Sequence, residues 1–211
     1  MEDWRIIGEI GRRINPDVKM TYDSPKEIFD ELAALTPQYA GMDFERLEKP
    51  GGLQWPCPDK DHPGTPYLHK DKFARGKGLF HSVEHVEPAE LPDEEYPMTL
   101  TTGRVMFHYH TGTMTRRSPK LDKEVPSPFV EINPADASTL GIKNEQIVKV
   151  ITRRGEIRLA ARIDSAVGPG LIFIPFHFAE AAANVLTNPA LDPLSKIPEY
   201  KVCAARVEAA G

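Results

Sequence analysis

The residues best suited to chemistry lie in one run, His108-Tyr109-His110-Thr111-Gly112-Thr113-Met114-Thr115-Arg116-Arg117-Ser118. It is too polar for a core strand and too rich in donors for an ordinary linker. Hydroxyl, imidazole and guanidinium groups in this density suit phosphate oxygens and the heteroatoms of a planar heterocycle. Gly103 and Gly112 allow a ligand close to the backbone. By residue type alone, a surface hairpin loop rich in Thr and His remains open. Three later features carry the same ambiguity. His177 follows an apolar run, where a polar tip would emerge at a barrel edge. Asn184 sits in a short helical or turn segment, and Tyr200-Lys201 follow Pro198-Glu199. Read singly, these are a solvated histidine, a capping asparagine and an edge strand.

Other chemistries find little support. His81 and His85 are four apart and would share a helix face as metal ligands, but no third ligand accompanies them. A zinc hydrolase built on His81, His85, His108 and His110 is a remote third reading, and surface histidines fit better. No Ser/His/Asp or Cys/His set stands at plausible spacing, and no four-cysteine iron–sulfur motif exists. Cys57, between two prolines, and Cys203, in an apolar strand, read as structural thiols. They form no CxxC pair, which fits a reducing compartment. No catalytic and no metal-ligating residue is expected in this chain.

These residues must be positioned by a small set of elements. Tyr96 to Thr102 alternates Met98 and Leu100 with threonines and reads as a strand that breaks at Gly103. Phe129 to Ile132 is a short strand. Asn133-Pro134-Ala135-Asp136 starts a helix with an Asn cap and Pro in the first turn, Ala137 and Leu140 face inward, and Gly141 ends it. Gln146 to Thr152 and the alternating Ile157, Leu159, Ala161 and Ile163 form two strands joined at Arg154-Gly155. Val167 to Gly170 is a turn, and Leu171 to Phe176 a fully apolar strand. Short strands, one short helix and tight turns indicate a compact β-barrel rather than a parallel α/β sheet.

Upstream, Asp3 is a plausible N-cap for a helix with Trp4, Ile7, Ile10 and Ile14 on one face. Ser24-Pro25-Lys26-Glu27 is a capping box opening a second helix, with Ile28, Leu32 and Leu35 buried. Residues 48–97 carry eight prolines and five glycines and cannot form long regular elements. An extended segment anchored by Trp55, Tyr67, Phe73 and Phe80 on a larger body is expected. The chain therefore divides into a helical segment 1–49, a Pro/Gly-rich extended linker 50–95 and a β-barrel 96–211. Its net charge of −5 argues against a nucleic-acid partner. With no leader pattern and no apolar run near 20 residues, a soluble cytoplasmic chain without membrane insertion is expected.

Four stretches in order resemble one family: Y-P-M-T-L-T-T-G-R, H-Y-H-T-G-T-M-T, N-P-A-D-A-S-T-L-G-I and P-E-Y-K-V-C-A-A-R-V-E. Asp3-Trp4-Arg5-Ile6-Ile7 and Gln54-Trp55-Pro56-Cys57 extend the likeness upstream. The family is the molybdopterin-dinucleotide-binding domain of molybdenum and tungsten oxidoreductases, with the formate dehydrogenase alpha subunit most similar. The resemblance implies a six-stranded double-psi β-barrel. It implies a molybdopterin guanine dinucleotide lined by Thr102, Gly103, Arg104, His108, Thr111, Thr113, Met114 and Thr115, with His110 and His177 beside them. Asn184 would hydrogen-bond pterin or phosphate, and Tyr200 and Lys201 would hold one end of the ligand. The metal, Mo or W, would be held by segments that this chain lacks. The implied partners are the remainder of the catalytic subunit and iron–sulfur subunits of a redox complex. The alternative is a free-standing module that binds a nucleotide-like ligand or docks on such a complex.

Overall fold

The computed structural model describes residues 1–210 and divides the chain into two compact units, Met1–Ser82 and Val83–Gly211. The first holds helices α1 (Asp3–Ile14), α2 (Pro25–Leu35) and α3 (Phe44–Leu47). Glu2, not Asp3, is the N-cap of α1, so Asp3 falls in the first turn, where its charge still opposes the helix dipole. Ser24 Oγ accepts from the Glu27 amide at 3.3 Å, but the Glu27 carboxylate accepts from Asp23 rather than from Ser24. The return bond of the capping box is thus shifted one residue upstream.

The apolar stripes of these helices are open, contrary to the sequence expectation. Ile7, Ile10 and Ile14 on α1 and Leu32 and Leu35 on α2 are all exposed, and Gly8 and Ala33 are the buried positions of the two helices. A unit this small, half of it irregular, has too little chain to cover two helical faces. The irregular half has its own centre at Arg46. Its guanidinium donates to the carbonyls of Gly41, Asp59 and His62 and approaches the buried Cys57 Sγ at 3.5 Å. Tyr67, Phe73 and Phe80, expected as anchors, are exposed, and Trp55 is half-exposed against Tyr39. Residues 81–88 are not helical, so His81 and His85 do not share a helix face.

The second unit is a closed six-stranded barrel. Strands β1 (Met98–Gly103), β2 (Phe129–Ile132), β3 (Ile147–Thr152), β4 (Gly155–Ile163), β5 (Leu171–Pro175) and β6 (Cys203–Ala209) run in the order β1-β5-β2-β4-β3-β6, and β6 pairs back onto β1. β1 with β5 and β2 with β4 are parallel; the other four pairings are antiparallel. This is the double-psi β-barrel. Leu100, Val130, Ile132, Val148, Val150, Ala161, Ile172 and Ile174 fill its interior with no exposed surface. Each Val, Leu or Ile among them stabilises the fold by about 1.5–3 kcal/mol on burial.

The connecting helices are α4 (Pro119–Glu124) and α5 (Pro134–Leu140). α5 starts as its sequence dictates: Asn133 Oδ1 accepts from the Ala135 amide at 3.0 Å, and Gly141 ends it in the left-handed region at φ 67°. Ala137 is buried, but Leu140, expected to face inward, is exposed. The β3–β4 turn has Arg153 and Arg154 at its centre, since Thr152 and Gly155 pair with each other. No helix among the described residues is long and apolar enough to cross a membrane.

Candidate ligand-binding site

Strand parity and topology build the site together. In β1 the face that buries Met98 and Leu100 also turns Thr102 inward at the strand's end. Because β5 runs parallel to β1, both strands end at the same mouth of the barrel, with Gly103 opposite Pro175. β6 runs antiparallel to β1, with Leu100 opposite Cys203, so the residues just before β6 arrive at that mouth as well. Three separate segments therefore meet there: the loop after β1, the stretch after β5, and the approach to β6.

They enclose a cavity of about 520 Å³ lined by Thr102, Arg104, His110, Phe176, Asn184, Thr187, Pro198, Tyr200 and Lys201. Buried Thr102 donates its hydroxyl to the Tyr200 carbonyl at 2.8 Å, and Lys201 Nζ donates to the Thr102 carbonyl. These two bonds tie the β6 approach to the end of β1. Two cations stand near the Phe176 ring: Arg104 Cζ and Lys201 Nζ are both 5.7 Å from its centroid. Among the described residues no carboxylate lines the cavity, although the chain as a whole carries −5. Two cations, amide and hydroxyl groups and an aromatic wall suit a ligand with both phosphate and a planar heterocycle.

Six residues named from sequence thus share one cavity: Thr102, Arg104, His110, Asn184, Tyr200 and Lys201. The others lie around it. Gly103 is the last residue of β1, and its carbonyl accepts from the Phe176 amide at 3.2 Å. His108 is buried below the loop. Its Nε2 meets the Val125 carbonyl at 2.7 Å and its Nδ1 the Thr115 hydroxyl at 3.1 Å. His177 is buried too, between the Val105 amide and the His110 carbonyl. Burial pushes its imidazole below the usual histidine range, against the opposing effect of the His110 carbonyl; neighbouring His108, Arg104 and His110 lower it further. Thr111 and Thr113 are exposed, with their hydroxyls 2.8 Å apart, and Met114 is exposed beside them.

Phe176, Thr187 and Pro198 line the cavity without having been singled out from sequence. Phe176 reads as the end of an apolar strand, and nothing local says that this end adjoins Gly103. The run's own Arg116 serves the scaffold: it forks onto Glu180 with two 2.8 Å bonds and stacks on Phe178 at 4.9 Å. Gly112, at φ 73°, makes room for that arginine, because a Cβ there would lie 2.8 Å from Arg116 Cδ. Among the described residues no group of three or more His, Cys, Asp or Glu side chains is placed to hold a metal ion. Cys57 and Cys203 are both free and buried, and burial raises the Cys203 thiol above its ordinary range.

A closed barrel that gathers cations, amides and an aromatic ring at one mouth is a binding domain for an anionic, heterocyclic ligand. Comparison with known proteins makes the class specific. The family model of the molydopterin dinucleotide binding domain matches residues 98–204, and the chain belongs to that family. Its ligand is therefore a molybdopterin dinucleotide of the guanine type. The F420-dependent formate dehydrogenase subunit alpha of Methanocaldococcus jannaschii is 53% identical over 99% of this chain. Formate dehydrogenase H of Escherichia coli is 38% identical over 98%, and the assimilatory nitrate reductase catalytic subunit of Bacillus subtilis 37% over 97%. The chain spans 31%, 29% and 30% of those three relatives. Among solved structures, acetylene hydratase from Pelobacter acetylenicus shares the fold, with a TM-score of 0.62 at 17% identity, covering 100% of this chain and 33% of that one.

Proposed function

We propose that the chain is the cofactor-clamping portion of a formate-oxidising molybdenum or tungsten enzyme. The observation that carries this reading is the carboxylate-free cavity flanked by Arg104 and Lys201. In this reading the two cations hold the diphosphate of the dinucleotide, Asn184 and Thr187 meet heteroatoms of its rings, and Phe176 and Tyr200 supply apolar and aromatic surface. Thr102 acts from beneath by fixing the Tyr200 backbone. The loop residues Gly103, Thr111, Thr113, Met114 and Thr115 present backbone and hydroxyl groups along the same ligand, and His108 and His177 support the loop. The bound cofactor supplies two-electron chemistry, taking formate to carbon dioxide; the protein's part here is binding, orientation and electrostatics.

Formate as the substrate draws support from relatives at 50–53% identity that are all named formate dehydrogenases. Relatives named nitrate reductases align over the same span at 37–41%. This stretch therefore carries cofactor binding, and substrate choice belongs to residues elsewhere in the enzyme. The partners in this reading are the remainder of the catalytic subunit and iron–sulfur subunits, in the cytoplasm. The chain by itself turns nothing over, and formate oxidation by the isolated chain, given cofactor and a dye acceptor, would overturn that.

The direct test is calorimetric titration of the chain with GDP, which reproduces the guanosine and diphosphate portion of the ligand. Arg104→Ala and Lys201→Ala should each weaken binding by roughly 10- to 100-fold, the usual range for losing a charge-assisted hydrogen bond. Raising the salt concentration should weaken the wild type more than either variant. Unchanged affinity in both variants would remove the cavity as the binding site.

A further inference from the structure

His177 lies two residues beyond β5 and beneath the loop that follows β1, with only 1% of its surface exposed. Its ring nitrogens reach two points of that loop, five residues apart. Nε2 is 3.0 Å from the Val105 backbone nitrogen, and Nδ1 is in hydrogen-bond contact with the His110 carbonyl. A backbone N–H can only donate, so Nε2 must carry a lone pair. A carbonyl can only accept, so Nδ1 must carry the proton. One protonation state satisfies both, the neutral Nδ1–H tautomer.

The geometry around it is consistent with a fixed loop. His110 holds a left-handed backbone, φ 47°, which a non-glycine residue keeps only when its surroundings enforce it. His108 is fastened from below by Val125, and the hydroxyl of Thr115 accepts from the Tyr109 amide at 3.2 Å while meeting His108 Nδ1. The two points held by His177 bracket the loop's contribution to the cavity. Val105 directly follows Arg104, and His110 lines the cavity itself.

We propose that His177 is a positioning residue for the dinucleotide: its neutral ring holds Arg104 and His110 at the cavity by bonding both ends of the intervening loop, and protonation at Nε2 frees the Val105 end and loosens the ligand. The proposal rests on the reading of this cavity as the dinucleotide site. An imidazolium would present a donor to the Val105 N–H, so that bond is lost on acidification. The titratable and charged groups around the ring are Arg104, His108 and His110, all cationic or potentially so. The nearby Arg116 and Glu180 neutralise each other through their paired hydrogen bonds. The His110 carbonyl favours the cation, while burial, His108, Arg104 and the His110 side chain oppose it.

The test uses the full chain, titrated calorimetrically with GDP at about pH 7.5 and about pH 5.0, the lower value set well beneath the ordinary imidazole range because burial depresses this ring. Titration of the GDP phosphate and of other histidines is common to all variants, so the comparison between variants isolates His177. His177→Gln places an acceptor oxygen where Nε2 lies and keeps the Val105 bond. His177→Asn places a donor nitrogen where Nδ1 lies and keeps the His110 bond. Wild type should lose at least about tenfold more affinity than His177→Gln on acidification. His177→Asn should bind weakly at both pH values. Nitrogen NMR of the free chain should show His177 as the Nδ1–H tautomer at the higher pH, with the Val105 amide protected relative to its intrinsic exchange rate there and losing that protection at the lower pH. An Nε2–H tautomer, or the same pH dependence in His177→Gln as in wild type, would overturn the proposal. If wild type binds no GDP at either pH, the cavity reading fails, and the tautomer together with the Val105 exchange rates still decides the role of His177.

Discussion

Lys201 and Thr102 show how far a single residue's role depends on where its neighbours end. Thr102 Oγ1 satisfies a carbonyl at the mouth of the barrel, at Tyr200. Thr102→Val keeps the shape and leaves that carbonyl without its donor, which should cost about 1–2 kcal/mol in urea unfolding. The same measurement on Gly103→Ala should show a loss of about 1–3 kcal/mol, because the added methyl would lie 2.6 Å from the Phe173 ring. Of the residues that converge on the cavity, Arg104 was legible from its type and its place at the break of β1, whereas Asn184, Tyr200 and Lys201 read singly as a capping asparagine and an edge strand and joined the site only through the family resemblance. The roles of His108 and His177 were not legible. Whether a histidine faces a ligand or props a loop depends on backbone groups arriving from Val105, His110 and Val125, and no local pattern encodes those meetings. Phe176 was hidden for a similar reason, its apolar character fitting a core strand equally well.

At the scale of elements, local chemistry was a good guide wherever it acts within a few residues. The start and stop of α5, the alternation of β4 and the apolar run of β5 all follow directly from residue order. Asn133 does two jobs, capping α5 and donating from Nδ2 to the Val167 carbonyl at 2.8 Å. Asn133→Ala should therefore cost about 1–2 kcal/mol, and Asn133→Asp less, since Asp keeps the cap and loses only the donor; thermal unfolding of the two variants checks this order. What local chemistry could not give was the partner of a face. The periodicity of α1 and α2 is correct, yet their stripes lie open, because amphipathic spacing predicts that a face wants burial and says nothing of whether nearby chain can provide it. Replacing exposed Ile10 by Ser should accordingly change stability by no more than about 0.5 kcal/mol, and a larger loss on calorimetry would mean that the stripe is covered.

For the barrel unit as a whole, the segment before β1 is fastened to it by charge. Glu90 accepts from Arg153 at 2.8 Å, from Arg154 at 2.7 and 2.8 Å, and from the Ala204 amide at 3.0 Å. Burial pushes its carboxyl up, but Arg154, the Ala204 amide and Arg153 together outweigh this and hold it below the ordinary glutamate range. A carboxylate depressed in the folded state adds stability above its unfolded value and loses it as pH falls through the folded one. The wild-type barrel should therefore weaken below about pH 4.5 on account of this group, and Glu90→Gln should be less stable at neutral pH and show a shallower acid loss. Equal acid slopes in the two proteins would disprove the assignment.

The order of strands around the barrel also governs how the chain can come to be folded. Only β3 and β4 are neighbours joined by a tight turn; Thr99 finds Leu171, and Met98 finds Ala205, from far along the polypeptide. Pairings so distant make ring closure slow compared with hairpin formation. In chain order β6 follows both of the strands it fits between, β1 and β3. A chain whose β6 has not yet docked carries two unpaired strand edges, those of β1 and β3, open to the backbone of any neighbour. Exposure to aggregation thus lasts for as long as β6 takes to find its place between β1 and β3.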